Sequence, residues 1–568
     1  MRRHCQTGFA VPALALLVAV LPGSLWAQAQ ARPPVFPTQP PKLPDTLPAP
    51  SPQIPLLPPV PAPKDKGAST AELHVVLNEI RLVGNTVYTA TQLAEVTQPY
   101  LGRALSADDV ETLRLALTTY YVERGYINSG AVIPDQDLGS QVLKIEIVEG
   151  RLSDVNVAGA ERLHPEYVRD RLLRNAGAPM NLAELQQRLQ LLQQDPLIAR
   201  INAELTPGLL RGQSDLAVTV NEAPYLHARL ELNNFQSPSV GAEQGLVTLE
   251  NLNLTGIGDA LSFQYGGSRG VHPIVNLRYS APVNASDTTL FANYGESAFA
   301  VQDSQFKPLG IKNEVTTAGV GLRHPLYRTL SSEVAVSFAL DYQDSRSFLL
   351  ALPFDFVAGA TGGVTRITAL RATQEFTHRS SEQIVAGLSR FSIGVGAFGA
   401  TGTSNDPEAS DGRFLSWLGV AQWVRRLQPS RAQMVARATL QLAANHLFPS
   451  EQIAVGGRSS VRGYREFSVV RDNAFLASLE YRIPVYAGAD GADRLHVAPF
   501  IDFGRSWNTT VANGEHGKLT SAGLGLLWAI TDTSRFEVYW GQQLERLRGG
   551  SGNLQDQGVH VQLVVQAF

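Results

Sequence analysis

Four groups of residues in this 568-residue chain have types and spacings that could do chemistry. Gly266-Gly267-Ser268-Arg269-Gly270 fits G-x-S-x-G, a pattern that exposes a serine nucleophile on a strand-to-helix elbow. Here Val271-His272-Pro273 leads into another alternating strand, so the glycines predict a hairpin tip and not a hydrolase. The eleven histidines show no H-E-x-x-H or other compact metal spacing, and the single cysteine is Cys5. Asp490-Gly491-Ala492-Asp493 is too short for a calcium loop and reads as a turn. No glycine-rich loop runs from a strand into a helix to hold phosphate, so neither an enzyme nor a cofactor site is expected. The remaining group is an apolar, cationic, glycine-hinged tip and, some forty residues on, one acid in an otherwise apolar strand. Val461-Arg462-Gly463-Tyr464 lies in the glycine-hinged stretch 456–467, and Asp502 lies in Pro499-Phe500-Ile501-Asp502-Phe503-Gly504. An arginine inserted opposite an inward aspartate would form a charge-assisted hydrogen bond. In a wet interior such a pair, worth only a few kcal/mol, suits holding a movable element.

Strands must aim those residues. From Tyr225 onward the hydrophobic period is two: Leu226, Ala228, Leu230 and Leu232 alternate with His227, Arg229, Glu231 and Asn233. The pattern returns at 261–265, 275–279 and 479–483, with aromatics near strand ends on the apolar face, as a lipid-facing girdle requires. Asp502 shares the facing of His496, opposite to Leu495, Val497 and Ile501, so it should point inward. The remaining length fits about 14 to 18 membrane strands of ~10 residues. Counted back from Phe568, strands fall near 558–568, 535–542, 519–530, 494–504 and 473–484. Their connections alternate long and short, which puts 456–467 in the long, outward set. The final strand carries Val559, Val561, Leu563 and Val565 on one face and Phe568 on the other, a phase slip that reads as a bulge or a frayed end.

Composition narrows the class. Charged residues make up 17% and the net charge is -4, which gives no reason to expect nucleic acid or an anionic surface as partner. Mean hydropathy is -0.05, which excludes a helical membrane bundle. Residues 1–27 read as a secretory signal: Arg2 and Arg3, the apolar run 11–21, then Leu25-Trp26-Ala27 as cleavage site, with Ala29 as an alternative. Cys5 lies in the removed part, so the exported chain carries no thiol. Residues 32–63 hold 14 of the 34 prolines, so 28–71 is expected to be an extended, polyproline-like linker with no helix before Ala71.

Residues 72–222 contain an internal repeat. Gly84 and Gly159 stand 75 positions apart, as do Gly102 and Gly177, Ser106 and Asn181, Asp109 and Glu184, and Leu117 and Leu192. Each copy reads βααββ. Its second helix starts at an N-capping residue (Ser106, Asn181) with an acid three positions on. Val110, Leu113, Leu117 and Tyr120 fall on one face of that helix in the first copy; Leu185, Leu189 and Leu192 do so in the second. Strands at 131–133 with 142–148, and 201–205 with 216–220, close the two sheets. An edge strand offers main-chain hydrogen bonds to an extended polypeptide with little demand on its sequence. The expected partner-binding edges are therefore Ala131, Val132 and Ile133, and Ile201, Asn202 and Ala203.

The VRGY stretch and the Phe-Ile-Asp-Phe-Gly strand together resemble the signature pair of the outer-membrane transporters of two-partner secretion, the family of the haemolysin activators and the filamentous-haemagglutinin transporter. The βααββ repeats, with Arg124-Gly125-Tyr126 ending a helix and Pro134-Asp135-Gln136-Asp137 after a strand, resemble that family's polypeptide-transport-associated (POTRA) domains. The resemblance implies an α+β pair of periplasmic repeats (72–150 and 151–223) followed by an all-β antiparallel barrel of about sixteen strands (224–568). It implies that a loop, 449–472, folds back into the lumen, with Val461, Arg462, Gly463 and Tyr464 meeting Asp502, Phe500 and Gly504. Some members plug the barrel with an N-terminal helix, from which this chain departs. The implied partner is a large secreted exoprotein bound in extended form, with outer-membrane lipid around the barrel, the barrel-assembly machinery during biogenesis and no nucleic acid. A barrel-assembly insertase shares the repeats and loop motif but usually has more repeats. A passive porin or surface adhesin would explain the barrel and not the repeat.

Overall fold

A computed structural model of the chain describes residues 39, 41–44, 75–174, 179–402, 409–510, 517–547 and 552–567. The signal-like segment, most of the proline-rich stretch and Phe568 lie outside the described residues.

The first repeat comprises β1 (Val75–Val76), β2 (Glu79–Val83), α1 (Ala90–Thr97), β3 (Ala104–Leu105), α2 (Ala107–Val122), β4 (Gly130–Val132) and β5 (Val142–Val148). The second comprises β6 (Arg151–Ala158), α3 (Pro165–Leu173), α4 (Leu182–Gln193), β7 (Ile198–Pro207) and β8 (Gln213–Glu222). Their sheets have the same order, β2-β5-β4 and β6-β8-β7, each with a parallel pair and an antiparallel pair.

The 75-residue spacing has a structural cause at the glycines. Gly84 and Gly159 have φ of +89° and +79°, and a Cβ on either would stand 2.5 Å from a carbonyl oxygen, of Ile147 and Val220 respectively. The turn after each first strand is held the same way in both copies. Glu149 accepts from the amides of Thr86 and Val87, and Glu222 from those of Glu161, Arg162 and Leu163. Ser106 and Asp109 form the expected reciprocal capping box. Asn181 caps the amide of Ala183 and donates to the Arg124 carbonyl of the first repeat, tying the two copies together. On α2 the fully buried face is Leu113, Leu117 and Tyr121; Tyr120, expected there, is only partly buried. The i, i+4 spacing from Leu113 runs through 117 to 121, and the Tyr121 hydroxyl reaches Glu149 at 2.9 Å.

Sixteen long strands close into an antiparallel barrel. They are β9 (Leu226–Asn233), β10 (Gln244–Asn251), β11 (Ala260–Ser268), β12 (Val271–Pro282), β13 (Thr289–Ala300), β14 (Lys312–Arg328) and β15 (Ser332–Leu349), which carries the two-residue β16 (Leu352–Pro353). Next come β17 (Val364–Arg379), β18 (Gln383–Gly394), β19 (Leu415–Arg426) and β20 (Gln433–Ala443). The hairpin β21 (Ile453–Val455) and β22 (Val469–Arg471) stands apart from the wall. The wall ends with β23 (Asn473–Ala487), β24 (Asp493–Trp507), β25 (Lys518–Ala529), β26 (Ser534–Gln543) and β27 (Val559–Gln566). Outward positions are apolar and exposed, among them Leu230, Tyr265, Phe338, Trp528 and Trp540. Gly266, Gly267 and Ser268 end β11, and Arg269 and Gly270 form the hairpin tip that leads into β12.

Short turns gather at the end of the barrel that meets the repeats. Asp287, in the β12–β13 turn, takes Arg171 of α3 at 2.7 Å and Arg328 of β14 at 2.8 Å. In the β10–β11 turn, a Cβ on Gly256 or Gly258 would meet the rings of His164 or Tyr167 at 2.6 and 2.4 Å. The second repeat is therefore seated directly on the barrel. The closing seam is short: β27 pairs with β9 only over Gln562–Gln566 and Arg229–Asn233. Asn234 prolongs it, its side chain bonding the carbonyl of Val559 and the amide of Val561.

A short part of the proline-rich stretch reaches the barrel. Its described residues 41–44 lie inside the barrel, without helix or strand. Leu43 packs against lumen-facing residues, and Gln422 of β19 donates to the Pro44 carbonyl at 2.6 Å.

Candidate functional site

The β20–β23 connection leaves the outer end of the barrel and turns back into the lumen as the β21–β22 hairpin with its tip at 456–468. Gly456 and Gly457 make the bend, with φ of +105° and +104°. A Cβ on Gly457 would collide with the Glu466 carboxylate, so only glycine lets the strand pass that group. Glu466 in turn accepts from the Arg458 amide at 2.6 Å.

At the tip, Arg462 is 2% exposed, and Asp502 and Glu480 are not exposed at all. Arg462 donates Nε to Asp502 Oδ2 and Nη2 to Asp502 Oδ1, both at 2.8 Å. Its main-chain amide reaches Asp502 Oδ2 at 3.0 Å, Nη1 reaches Glu480, and Nη2 reaches Ser478 Oγ at 3.0 Å. The guanidinium lies over the Phe500 ring at 3.7 Å and faces Tyr539 at 4.8 Å. This uses the fork, the planar face and the permanent charge of arginine together, which lysine cannot reproduce. The pair is buried, contrary to the expectation of a wet lumen, with the Phe500 and Tyr539 rings against the guanidinium. Taking Arg462 away would strand the buried Asp502 carboxylate, at a cost of about 3–5 kcal/mol.

The neighbours are shaped to the tip. Gly504 lacks the side chain that Val455 and Val461 would strike at 2.7 and 2.8 Å. Gly463 (φ +88°) lies against Gly541 of β26, and a Cβ there would stand 2.6 Å from the Gly541 carbonyl oxygen. The Tyr464 hydroxyl sits between the carbonyls of Thr520 and Glu545, at 2.9 and 2.8 Å. Arg458 pairs with Glu537 at 2.9 Å. The Glu466 amide donates at 2.8 Å to Gln555, which holds the carbonyls of Asn234 and Gln236 beside the seam. At the base of the loop, Glu451 meets Arg371 of β17 at 2.8 Å, and Arg371 also meets Asp341 at 2.7 Å.

All of Val461, Arg462, Gly463, Tyr464, Phe500, Asp502 and Gly504 thus converge. Reading the sequence missed Glu480, Tyr539, Gly541 and the Arg371–Glu451 pair. Glu480 had a signal, since it alternates with the apolar Leu479 and Tyr481. Only the register, which sets Ser478 opposite Asp502 and Glu480 opposite Phe500, brings it under Arg462.

The expected edge strands need correction. β4 ends at Val132, so Ile133 lies outside it. Both β4 and β7 are edges, yet helix side chains cover their centres. The Ala131 amide donates to Thr118 Oγ1 at 3.0 Å and its carbonyl accepts from Arg114 at 3.3 Å. On β7, Gln193 accepts from the Ile201 amide at 3.0 Å and donates to the Ala199 carbonyl at 3.1 Å. The strand continues beyond that clasp through Asn202 and Ala203 to Pro207. Among the described residues no three histidine, cysteine or carboxylate side chains are placed to share a metal ion.

Comparison with known proteins agrees with this geometry. Residues 212–527 match the family described as haemolysin secretion/activation protein ShlB/FhaC/HecB, and residues 75–150 match the POTRA domain of ShlB type. The chain is 25% identical over 408 residues to the outer membrane transporter CdiB of Dickeya dadantii (strain 3937), covering 69% of each. It is 21% identical over 426 residues to the heme/hemopexin transporter protein HuxB of Haemophilus influenzae (strain ATCC 51907 / DSM 11121 / KW20 / Rd), covering 71% of each. The solved structure of CdiB from Escherichia coli superposes with a TM-score of 0.65 at 21% identity, covering 89% of this chain and 92% of that one. The chain therefore belongs to the ShlB/FhaC/HecB family of haemolysin secretion and activation proteins, the outer-membrane transporters of two-partner secretion.

Proposed function

We propose that this transporter takes its exoprotein in extended form from the periplasm, through the edge strands of its two POTRA-like repeats, and passes it outward as the lumen loop leaves its seat. The observation that carries the reading is a loop held in a closed barrel by side-chain bonds, on a seat cut to its shape by Gly504 and Gly541. Such a plug is built to be displaced without unfolding the wall. Strand addition is best supported at β7 beyond Gln193, from Asn202 toward Pro207, and at β4 once Arg114 and Thr118 let go. No catalytic step is assigned to the chain. Surrounding lipid and the barrel-assembly machinery are its partners in the membrane and in biogenesis. Two repeats, against the larger number usual in an insertase, favour export over barrel assembly.

The test is secretion of a very large exoprotein encoded beside this chain, expressed with and without it. Exoprotein in the medium only with the intact chain, and lost on deleting 72–222, supports the reading. Exoprotein held in the periplasm in every case overturns it in favour of an insertase, checked by assembly of other barrels.

A further inference from the structure

The lumen wall formed by β18, β19 and β20 departs from the polar interior that an outer-membrane barrel ordinarily presents. Ile384, Ala386, Leu388, Val420, Val424 and Val435 all face inward there and are buried or partly buried. Gln422 stands among them. Its amide cannot be turned around: Arg437, its cross-strand partner, has only donors and gives Nε to Gln422 Oε1 at 2.9 Å. The amide nitrogen is thereby presented to the lumen, where it donates to the carbonyls of Pro44 at 2.6 Å and Leu43 at 3.3 Å. Leu43 fills the apolar surface on both sides of that contact.

We propose that this strip is a binding track for extended polypeptide in transit, and that residues 41–44 are its resident occupant, a stand-in for the exoprotein. The chemistry read at the track is a main-chain carbonyl plus one apolar side chain. Every extended chain displays both, and a proline-rich one supplies them without amide donors that would need partners of their own. An exoprotein segment would place an apolar residue where Leu43 sits and give Gln422 the carbonyls now supplied by 43 and 44. The resident segment then keeps an empty track covered, and incoming chain displaces it by equivalent contacts. This inference rests on the translocation reading above.

A photo-crosslinking side chain placed at Leu388 in the full-length transporter tests it, using an exoprotein stalled in transit by a fused fast-folding domain. A second probe at Thr248, on β10 across the barrel, serves as reference. Expected are crosslinks from 388 to the N-terminal segment at rest and to the exoprotein when stalled. Capture at 248 but not at 388 overturns the track and leaves translocation standing; capture at neither overturns translocation itself. Gln422→Leu keeps the wall apolar and removes the donor. Loss of the two bonds to the Pro44 and Leu43 carbonyls should loosen residues 41–44 by roughly 5- to 30-fold, read as a higher open probability in planar bilayers. An unchanged open probability in Gln422→Leu overturns the assignment of Gln422.

Discussion

Replacing Arg462 by lysine preserves charge and approximate length, so it isolates what the guanidinium fork does. In the seated loop the side chain makes two bonds to Asp502, one to Glu480 and one to Ser478. A lysine nitrogen has three donors radiating from one point and can satisfy one carboxylate well. At least two charge-assisted bonds are lost, each about 1.5–3 kcal/mol, and one buried carboxylate is left under-paired. The expected loss is about 3–5 kcal/mol, a shift of roughly 10²–10⁴ in the ratio of seated to released loop. The wall is closed by main-chain ladders that the substitution does not touch, so the barrel should remain heat-modifiable on gels. Channel conductance and protease access to residues 456–468 should both rise. Adding Asp502→Asn tests the pairing itself: in a double-mutant cycle the second substitution should cost much less in Arg462→Lys than in the native chain. Native-like conductance and protection in Arg462→Lys, or strict additivity with Asp502→Asn, would refute the reasoning.

Other predictions concern separate parts. Gly463→Ala meets both a left-handed φ and the Gly541 carbonyl, so it should unseat the loop and raise conductance even with Arg462 intact; a tightly closed channel would count against the close contact. Burial pushes the Glu149 carboxyl up, but bonds from the Thr86 hydroxyl and the Val87 and Thr86 amides outweigh this, leaving it below the ordinary carboxylate value. Its folded pKa is thus depressed. The stability it contributes is present above about pH 4.3 and lost as pH falls through the folded value. Glu149→Gln should lower stability near neutrality and flatten the acid limb of the unfolding curve, and an unaltered limb would contradict this. Proline at Ala203 should weaken exoprotein binding, and Gln193→Leu, which uncovers the Ala199 and Ile201 main chain, should strengthen it; titration calorimetry with exoprotein fragments reads both. Asp287→Ala leaves Arg171 and Arg328 without their shared carboxylate and should increase hydrogen exchange in α3, with secretion slowed and the barrel folded.

Much of this architecture could be read from residue order, because its causes are local. Gly84 and Gly159 mark turns that tolerate no Cβ, and Ser106 with Asp109 is a cap contained in four residues. Two-residue alternation reports which way Asp502 points, and loop parity assigns the β20–β23 connection to the outer end without showing that its tip turns back into the lumen. Other features depend on registers that no local pattern reveals. Glu480 reaches Arg462 only through the β23–β24 offset, and Gln193 covers the β7 edge by reaching back from the preceding helix. Proline content predicts a segment without helix or strand, which is what residues 41–44 are, yet says nothing of where it lies. Its place in the lumen is decided by Gln422 and the apolar wall, nearly 380 residues away in sequence.

Gln555 gives the plug a role in the wall as well. It receives the Glu466 amide from the loop while holding the carbonyls of Asn234 and Gln236 beside the seam, where strand pairing is thinnest. One side chain thereby makes two equilibria share a term, loop seating and strand closure. Thermodynamic linkage requires that coupling to run in both directions by the same amount. A bilayer too thin for the barrel, which strains the seam, would also loosen the plug, and a plug pulled away by cargo would soften the wall next to it. The transporter's resistance to leakage is then partly a property of the membrane that holds it.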